Sequence, residues 1–274
     1  MLNEEGFITL FNIWQRRCAQ ISYDRRERIR QLLEKQGSVT IKELEQEFPN
    51  ISSMTIRRDL EYLESVGEAI RIRGGARSIK HADGGHEAAY SLRAAENLEA
   101  KMRVAKIASR FIEPGRSCFL DSGSTIMALA RILPDLNLSI LTSAPNVAME
   151  VVKRYNPTVN LIGGVLSREN LSVSGIQAAE FIRNFNIDVA FVVPSAFSIE
   201  NGFSCGNYSE CDLKRAILKK ARRSILLIDH SKFDKNLPFT FARLPEVQVI
   251  VTDRRPPEPF LEAIEREKIA LYWE

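Results

Sequence analysis

The first third of the chain places hydrophobic residues three or four positions apart in three short segments, 25–35, 41–48 and 55–64. This spacing predicts three amphipathic helices, each with one buried face. A glycine ends the first segment, a Pro-Asn pair ends the second, and Ser52 is a favourable N-cap for the third. The predicted buried positions are Ile29, Leu32, Leu33, Ile41, Leu44, Phe48, Ile56, Leu60 and Leu63.

Strand-like patterns follow the three helices. Residues 69–73 alternate as in a strand, and Gly74-Gly75 comes directly after them, which predicts a β-hairpin. From residue 98 onwards, hydrophobic runs alternate with helical segments, which predicts a parallel sheet covered by helices on both faces. The predicted strands are 118–120, 138–141, 159–162, 189–193, 225–228 and 247–251. The predicted helices are 98–112, 126–133, 147–154, 211–221 and 260–267.

Net charge, the numbers of cysteines and histidines, and the lengths of hydrophobic runs limit the function that the chain can have. The chain has 274 residues and a net charge of only +3, so any nucleic-acid surface must be local. The four cysteines form no C-x-x-C pair and there are three scattered histidines, so no metal site and no cofactor are expected. No hydrophobic run reaches the roughly 18 residues of a membrane span. We expect a cytoplasmic protein that does not contact the membrane.

The third predicted helix is a candidate DNA-recognition helix. Its hydrophobic stripe faces inward and leaves polar and basic side chains free in its N-terminal half, the part that meets base edges in a major groove. The hairpin adds basic residues as a wing. Taken alone, the two helix arginines are more typical of a solvated face. The combination of three helices, a basic helix and a basic wing favours binding to double-stranded operator DNA, with Ser53, Met54, Thr55, Arg57, Arg58, Arg71 and Arg73 as the contacts.

A loop of small hydroxyl residues and glycine connects the first predicted parallel strand to a helix. Backbone N–H groups at a helix N-terminus, together with such hydroxyls, suit a phosphate group, although an ordinary capped turn has the same pattern. Other polar residues follow further strands, and the ends of parallel strands meet at one edge of a sheet. Glu210 and Lys214, four residues apart, are alternatively an exposed ion pair. The predicted ligand contacts are Asp121, Ser122, Gly123, Ser124, Thr125, Gly163, Gly164, Glu210, Lys214 and Lys232.

Residues 25–78 resemble the helix-turn-helix of the DeoR family of bacterial sugar-metabolism regulators. The matching positions are Arg25, Ile29, Leu32, Glu43-Leu44, Ser52, the run from Thr55 to Leu60, Leu63, Arg71 and Gly74-Gly75-Ala76. The turn at Pro49-Asn50 is about one residue longer than the family pattern. Residues 93–253 resemble the sensor domain of the same family. The matches there are Arg93, Lys101, Val104-Ala105, the loop from Asp121 to Thr125, Thr142, Gly163-Gly164, Gly175, Asp188, Phe191, Gly202, Glu210, Lys214-Arg215, Asp229 and Ser231-Lys232-Phe233.

The resemblance implies a fold and a function. It implies an α/β protein in which a winged helix-turn-helix precedes a Rossmann-like, three-layer sensor domain similar to ribose-5-phosphate isomerase. The expected organisation is an extension over 1–21, a DNA-binding domain over 22–78, a linker over 79–97, and an effector-sensing and oligomerisation domain over 98–274. Ser143 and Ala196 stand where the family has asparagine and glycine.

The expected function is transcriptional regulation without catalysis. The resemblance implies a homo-oligomeric repressor of carbohydrate-metabolism genes that responds to a phosphorylated sugar or related metabolite. Two alternatives stay open: a sugar-phosphate isomerase with an added DNA-binding domain, and a regulator whose ligand site is degenerate. Because the loop after Phe191 carries no carboxylate, no residue is assigned a catalytic role.

Overall fold

A computed structural model of the chain describes residues 22–66, 68–72, 74–78 and 90–274. The predicted extension over 1–21 lies outside these residues. The chain divides between residues 84 and 85 into two units, and each is described by itself.

The N-terminal unit contains the three predicted helices and a small sheet. Its helices are α1 (22–36), α2 (Ile41–Glu47) and α3 (Ser53–Ser65), and its strands are β1 (Ser38–Thr40), β2 (Ala69–Ile72) and β3 (Gly75–Ser78). Strand β3 lies between β1 and β2 and is antiparallel to both. The fully buried core comprises Ile29, Leu33, Val39, Leu44, Ile56, Leu60, Leu63, Ala69 and Ala76.

Local interactions explain where these elements begin. Thr40 and Glu43 form a reciprocal capping box at the start of α2, and the Ser52 side chain accepts a hydrogen bond from the Thr55 N–H at the start of α3. Gly75 is required by packing, because a Cβ atom at this position would lie 2.0 Å from the Val39 carbonyl oxygen. The glycine therefore permits β1 to pair closely with β3.

The C-terminal unit is built on a parallel sheet, as predicted, with seven strands, of which β15 was not predicted. In spatial order its strands are β15 (Ala270–Tyr272), β14 (Val249–Thr252), β12 (Arg223–Ile228), β9 (Val189–Val192), β4 (Ser117–Leu120), β5 (Ser139–Thr142) and β6 (Thr158–Leu161). All six predicted strands are present, with ends shifted by up to two residues. Because every neighbouring pair is parallel, the loops that follow the strands lie at one edge of the sheet.

Helices cover both faces of this sheet and complete three layers. One face packs against α5 (Leu98–Ser109), α6 (Ser124–Arg131) and α7 (Pro145–Val151). The other packs against α8 (Ile176–Arg183), α9 (Tyr208–Lys220) and α10 (Glu258–Arg266). Successive strand residues alternate between the two cores, so that Phe119 and Ala190 belong to one and Leu120 and Phe191 to the other.

Several elements were not predicted from the sequence. A hairpin of β7 (Val165–Ser167) and β8 (Ser172–Ser174) follows β6, and a three-stranded antiparallel sheet contains β10 (Ala196–Ser198), β11 (Gly202–Cys205) and β13 (Phe239–Ala242). Helix α4 (Tyr90–Ala95) falls within the predicted 79–97 linker. The Tyr90 N–H donates to the Glu169 carbonyl 2.7 Å away, so this segment packs on the C-terminal unit.

Candidate DNA-binding and effector sites

The N-terminal half of α3 has an exposed polar face. Ser53, Met54, Arg57 and Arg58 are exposed and Thr55 is half-buried, whereas Ile56 and Leu60 point into the core. Neither arginine forms an ion pair or hydrogen bond with another described residue, so both guanidinium groups are available to a ligand. The structure therefore brings five of the predicted DNA contacts onto one helix end.

The wing differs from its prediction. Arg71 on β2 is exposed, but its guanidinium contacts Glu64 at 3.0 Å and Glu61 at 2.5 Å, both on α3. These carboxylates neutralise the arginine and tie the wing to the helix. Arg73, the second predicted wing contact, lies outside the described residues.

Asp59 has a role that sequence analysis missed. Asp59 was not predicted as a buried residue, but it is 1% exposed. Its two carboxylate oxygens accept from Arg25 at 2.5 Å and Arg26 at 2.8 Å. The buried carboxylate thus fixes α3 against α1. Asp59 lies 34 and 33 residues from the two arginines, and no periodicity links them.

The glycine-hydroxyl loop has the predicted strand-loop-helix arrangement. It runs from the end of β4 to the start of α6, and Gly123 adopts a φ of +115°, which favours glycine over other residues. No side chain caps α6. The hydroxyls of Ser122, Ser124 and Thr125 form no hydrogen bond with other residues that the structure describes. Hydroxyl groups and the first N–H groups of α6 therefore remain available at this helix end.

Asp121, at the start of this loop, forms a buried ion pair with Lys214 of α9. The same carboxylate accepts from the Ser122 N–H at 2.8 Å and the Val193 N–H at 3.0 Å, and the lysine also donates to the Val193 carbonyl at 2.9 Å. Burial alone would lower the pKa of Lys214, but the Asp121 carboxylate raises it above its ordinary value. Both predicted ligand contacts are thus engaged with protein groups and hold the loops after β4 and β9 together.

Glu210 is also buried and engaged. Its carboxylate accepts from the Asn170 amide at 2.9 Å and from the Ser172 hydroxyl, both in the β7–β8 hairpin. Asn170 in turn accepts from Arg93 of α4 at 3.1 Å. The alternative interpretation of Glu210 and Lys214 as an exposed ion pair is wrong: both are 5% exposed and each has other partners.

The loop after β12 brings basic residues to the same sheet edge. A 3₁₀ turn over His230–Lys232 follows the strand, and Asp229 accepts from the Ser231 N–H at its start. Lys232 is half-buried and forms no ion pair with another described residue. Lys101 of α5, not predicted as a contact, is 3% exposed and donates to the Arg93 carbonyl and, at 2.5 Å, to the Glu96 carbonyl.

Lys101 is electrostatically linked to this loop. Burial lowers its pKa to about 8, Asp229 partly offsets the effect, and the positive charge of Lys232 adds to it. Its half-charged state near pH 8 is unusual for a lysine. The sequence gives little indication that this lysine is buried or close to the site, because Lys101 occupies one position in the buried stripe of α5.

The two glycines predicted as ligand contacts, and the two positions that depart from the family pattern, follow β5, β6 and β9. Gly163 and Gly164 are exposed between β6 and β7, whereas Ser143 after β5 is buried. Ala196, the other departure from the family pattern, is buried at the start of β10. Across the described ranges, no group of three or more potential protein ligands is arranged for a metal ion, and no helix is long and apolar enough to cross a membrane.

Solved structures with a similar arrangement include ribose 5-phosphate isomerase A from Methanocaldococcus jannaschii. That comparison has a TM-score of 0.39 and 18% identity, over 52% of this chain and 57% of the other. A second is translation initiation factor eIF-2B from Pyrococcus horikoshii OT3, with a TM-score of 0.41 and 15% identity, over 85% of this chain and 86% of the other.

Sequence comparisons identify the family. The DeoR-like helix-turn-helix domain model matches residues 25–82, and the DeoR C-terminal sensor domain model matches residues 96–254. The uncharacterized HTH-type transcriptional regulator YgbI of Escherichia coli (strain K12) is 31% identical over 92% of this chain and 97% of its own length. The putative aga operon transcriptional repressor of Escherichia coli O157:H7 is 32% identical over 89% of this chain and 90% of its own length. The chain belongs to the DeoR family of DNA-binding transcriptional regulators.

Proposed function

We propose that this regulator represses carbohydrate-metabolism genes and that a phosphorylated sugar or related metabolite controls its binding to operator DNA. The observation that carries the proposal is the uncapped start of α6, where free hydroxyls and backbone N–H groups meet the sheet edge that also carries Lys232. The name of the related aga operon repressor supports repression. Two or more copies would present their α3 helices to repeated half-sites.

The α6 loop offers the groups that a phosphate needs. Backbone N–H groups at a helix N-terminus and hydroxyls from Ser122, Ser124 and Thr125 are hydrogen-bond donors, and the helix dipole favours negative charge there. Lys232 adds a cation without a protein partner among the described residues. The Asp121–Lys214 pair holds the loop in place, so that little reorganisation accompanies binding.

The arrangement of carboxylates favours sensing over isomerisation. An isomerase needs a carboxylate or other base that is free to take a proton from the sugar. Asp121 is neutralised by Lys214, and Glu210 is held by Asn170 and Ser172. Asp229 accepts from the Ser231 N–H and hydroxyl. These engaged carboxylates support a binding site in which the sugar phosphate is held without being converted.

A ligand panel tests the sensing part of the proposal. The full chain is heated with sugar phosphates, with the matching unphosphorylated sugars, and with inorganic phosphate. A ligand at 100 times its Kd stabilises the native state by about 2.7 kcal/mol, which shifts the melting temperature by several degrees. We expect such a shift with at least one sugar phosphate and not with its parent sugar.

Two variants connect that shift to the site. Lys232→Gln removes the unpaired cation, and the matched control Lys235→Gln removes an exposed lysine three residues further along the chain. We expect a weaker ligand response in Lys232→Gln and a wild-type response in Lys235→Gln. If no sugar phosphate shifts the melting temperature, or if the two variants respond equally, the proposed effector site is wrong.

A further inference from the structure

Strand β6 forms one edge of the seven-stranded sheet and leaves backbone groups unpaired. It pairs only with β5 among the described strands. The Thr158 N–H donates to the carbonyl of Leu138, directly before β5, and the Ile162 N–H donates to the carbonyl of Thr142 at the end of β5, both at 2.9 Å. Because the N–H and C=O groups of a strand point alternately to its two sides, those of Val159 and Leu161 face away from the sheet. This edge is therefore open to another strand.

Hydrophobic side chains surround the open edge. The exposed fractions are 45% for Leu161, 70% for Val165, 54% for Leu166, 77% for Ile176 and 41% for Phe181. These residues come from β6, β7 and α8. The turn between β6 and β7 packs closely against β8 and α8: a Cβ atom on Gly164 would lie 2.6 Å from the Ser174 carbonyl oxygen and 3.5 Å from the Ala178 Cβ. We call these five side chains, together with the outer edge of β6, the β6-edge surface.

Charge is absent from the centre of the β6-edge surface and balanced at its rim. Residues 158–167 and 171–179 contain no Asp, Glu, Lys or Arg. Around them lie exposed Arg168, Glu169, Glu180 and Arg183, two of each sign. DNA or an anionic membrane selects surfaces rich in cations. A charge-free hydrophobic centre with a polar rim is typical of an interface between protein subunits.

We propose that the β6-edge surface binds a second copy of this chain. A two-fold axis would pair β6 with β6 of the copy in antiparallel orientation, so that each edge supplies the hydrogen-bond partners that the other needs. The balanced rim fits an identical surface, because two copies with equal numbers of cations and anions carry no net charge that would repel the other. This inference specifies the self-association that the proposed function assumes, and it concerns the free protein without DNA or effector.

Light scattering on the full chain, without DNA or effector, measures the mass directly. At about 10 µM, a concentration at which nanomolar to low-micromolar subunit contacts are occupied, we expect a mass of twice 31.1 kDa or a larger even multiple. The double variant Val165→Lys/Ile176→Lys places two charges in the centre of the surface and should lower the mass by half or more. The control Ile199→Lys changes another exposed hydrophobic residue, in the β10–β11 turn, and should retain the wild-type mass.

A second pair of variants tests strand pairing itself. Leu161→Pro removes an outward N–H that β5 does not use, so it should dissociate the copies while the melting temperature stays near the wild-type value. Leu161→Thr keeps this N–H and should remain associated. A monomeric wild type would overturn the proposal. This includes the case in which another part of the same chain covers the surface, so that the lysine variants lower the stability of a monomer. Retention of the wild-type mass by both Val165→Lys/Ile176→Lys and Leu161→Pro would overturn it as well. Operator binding is measured separately, so failure here leaves the DNA-binding part standing.

Discussion

Asp121 and Lys214 form a buried ion pair that joins the loop after β4 to helix α9, and both also bind the backbone of Val193. The pair lies directly beside the loop that we assign to the effector. Its position implies that the effector loop is held in one shape before any ligand arrives. The pair therefore links the stability of the C-terminal unit to its proposed sensing function.

Removing one partner should destabilise the C-terminal unit strongly. Lys214→Met leaves the Asp121 carboxylate buried without its cation, which costs about 3–5 kcal/mol. The double variant Asp121→Asn/Lys214→Met leaves no unpaired charge and should recover part of this loss. Urea denaturation of the two variants and the wild type measures the difference. Equal stability of Lys214→Met and wild type would show that the pair is not buried as described.

Gly75→Ala tests the close approach of β1 and β3. The added methyl group would lie 2.0 Å from the Val39 carbonyl oxygen, so the strands must separate. Overpacking of this kind costs about 1–3 kcal/mol. Gly163→Ala is the matched control, because a Cβ atom there meets nothing within 4 Å. Thermal unfolding should separate the two variants, and similar melting temperatures would contradict the described packing of the wing.

Asp188 gives a pH-dependent prediction. Its carboxylate accepts from the N–H and hydroxyl of Ser117 at 3.0 Å each, and these bonds lower its pKa below the ordinary value. A lowered pKa stabilises the folded state above the unfolded pKa of about 3.9, and this contribution is lost as the pH falls through the folded pKa. Asp188→Asn should therefore cost about 1–3 kcal/mol at neutral pH.

The loss in Asp188→Asn should shrink in acid. Urea denaturation of the variant and the wild type from about pH 7 to about pH 3 follows the difference through the relevant range. Asp212→Asn, at an exposed position on α9 without a described hydrogen bond, is the control and should match the wild type throughout. A difference that stays constant down to the lowest pH would rule out the carboxylate as its source.

The lowered pKa of Lys101 gives a prediction for how pH changes the affinity of the effector. Burial lowers its pKa to about 8, so the ammonium loses its proton as the pH rises through that value. Because an anionic ligand favours the charged form, its affinity should fall several-fold between about pH 7 and about pH 9. Calorimetric titration with the sugar phosphate found in the panel measures this fall. Lys101→Met should flatten the profile, and an unchanged slope in the variant would exclude Lys101.

The sequence predicts the architecture well because the major elements have strong periodicity. The parallel strands are hydrophobic on both faces, and the three N-terminal helices have clear buried stripes. The β7–β8 hairpin and β10–β11 escaped prediction because they are three or four residues long and show no sustained alternation. Helix α4, within the predicted 79–97 linker, was not predicted either. Its one buried side chain, Leu92, is too few to give a helical pattern of hydrophobic positions.

Candidate contacts were harder to predict than elements. The loop from Asp121 to Thr125 could be predicted, because its glycine and small hydroxyl residues are typical of a strand-to-helix turn. The sequence did not reveal that Asp121 and Lys214 bind each other, or that Arg71 is paired with Glu61 and Glu64. Such partners are distant in sequence and meet only through tertiary packing. Long-range pairs therefore decide which polar side chains remain free for a ligand.

The affinity of the chain for selected DNA shows whether α3 is the recognition helix. Duplexes selected from a random pool by the wild-type chain are labelled, and their binding is followed by fluorescence anisotropy at fixed salt. Each arginine that reads a base contributes about 1–3 kcal/mol, so Arg57→Ala/Arg58→Ala should bind at least about 30-fold more weakly. Arg28→Ala, which removes an exposed arginine paired with Glu47, should stay close to the wild type. Wild-type affinity in Arg57→Ala/Arg58→Ala would contradict the assignment of α3 as the recognition helix.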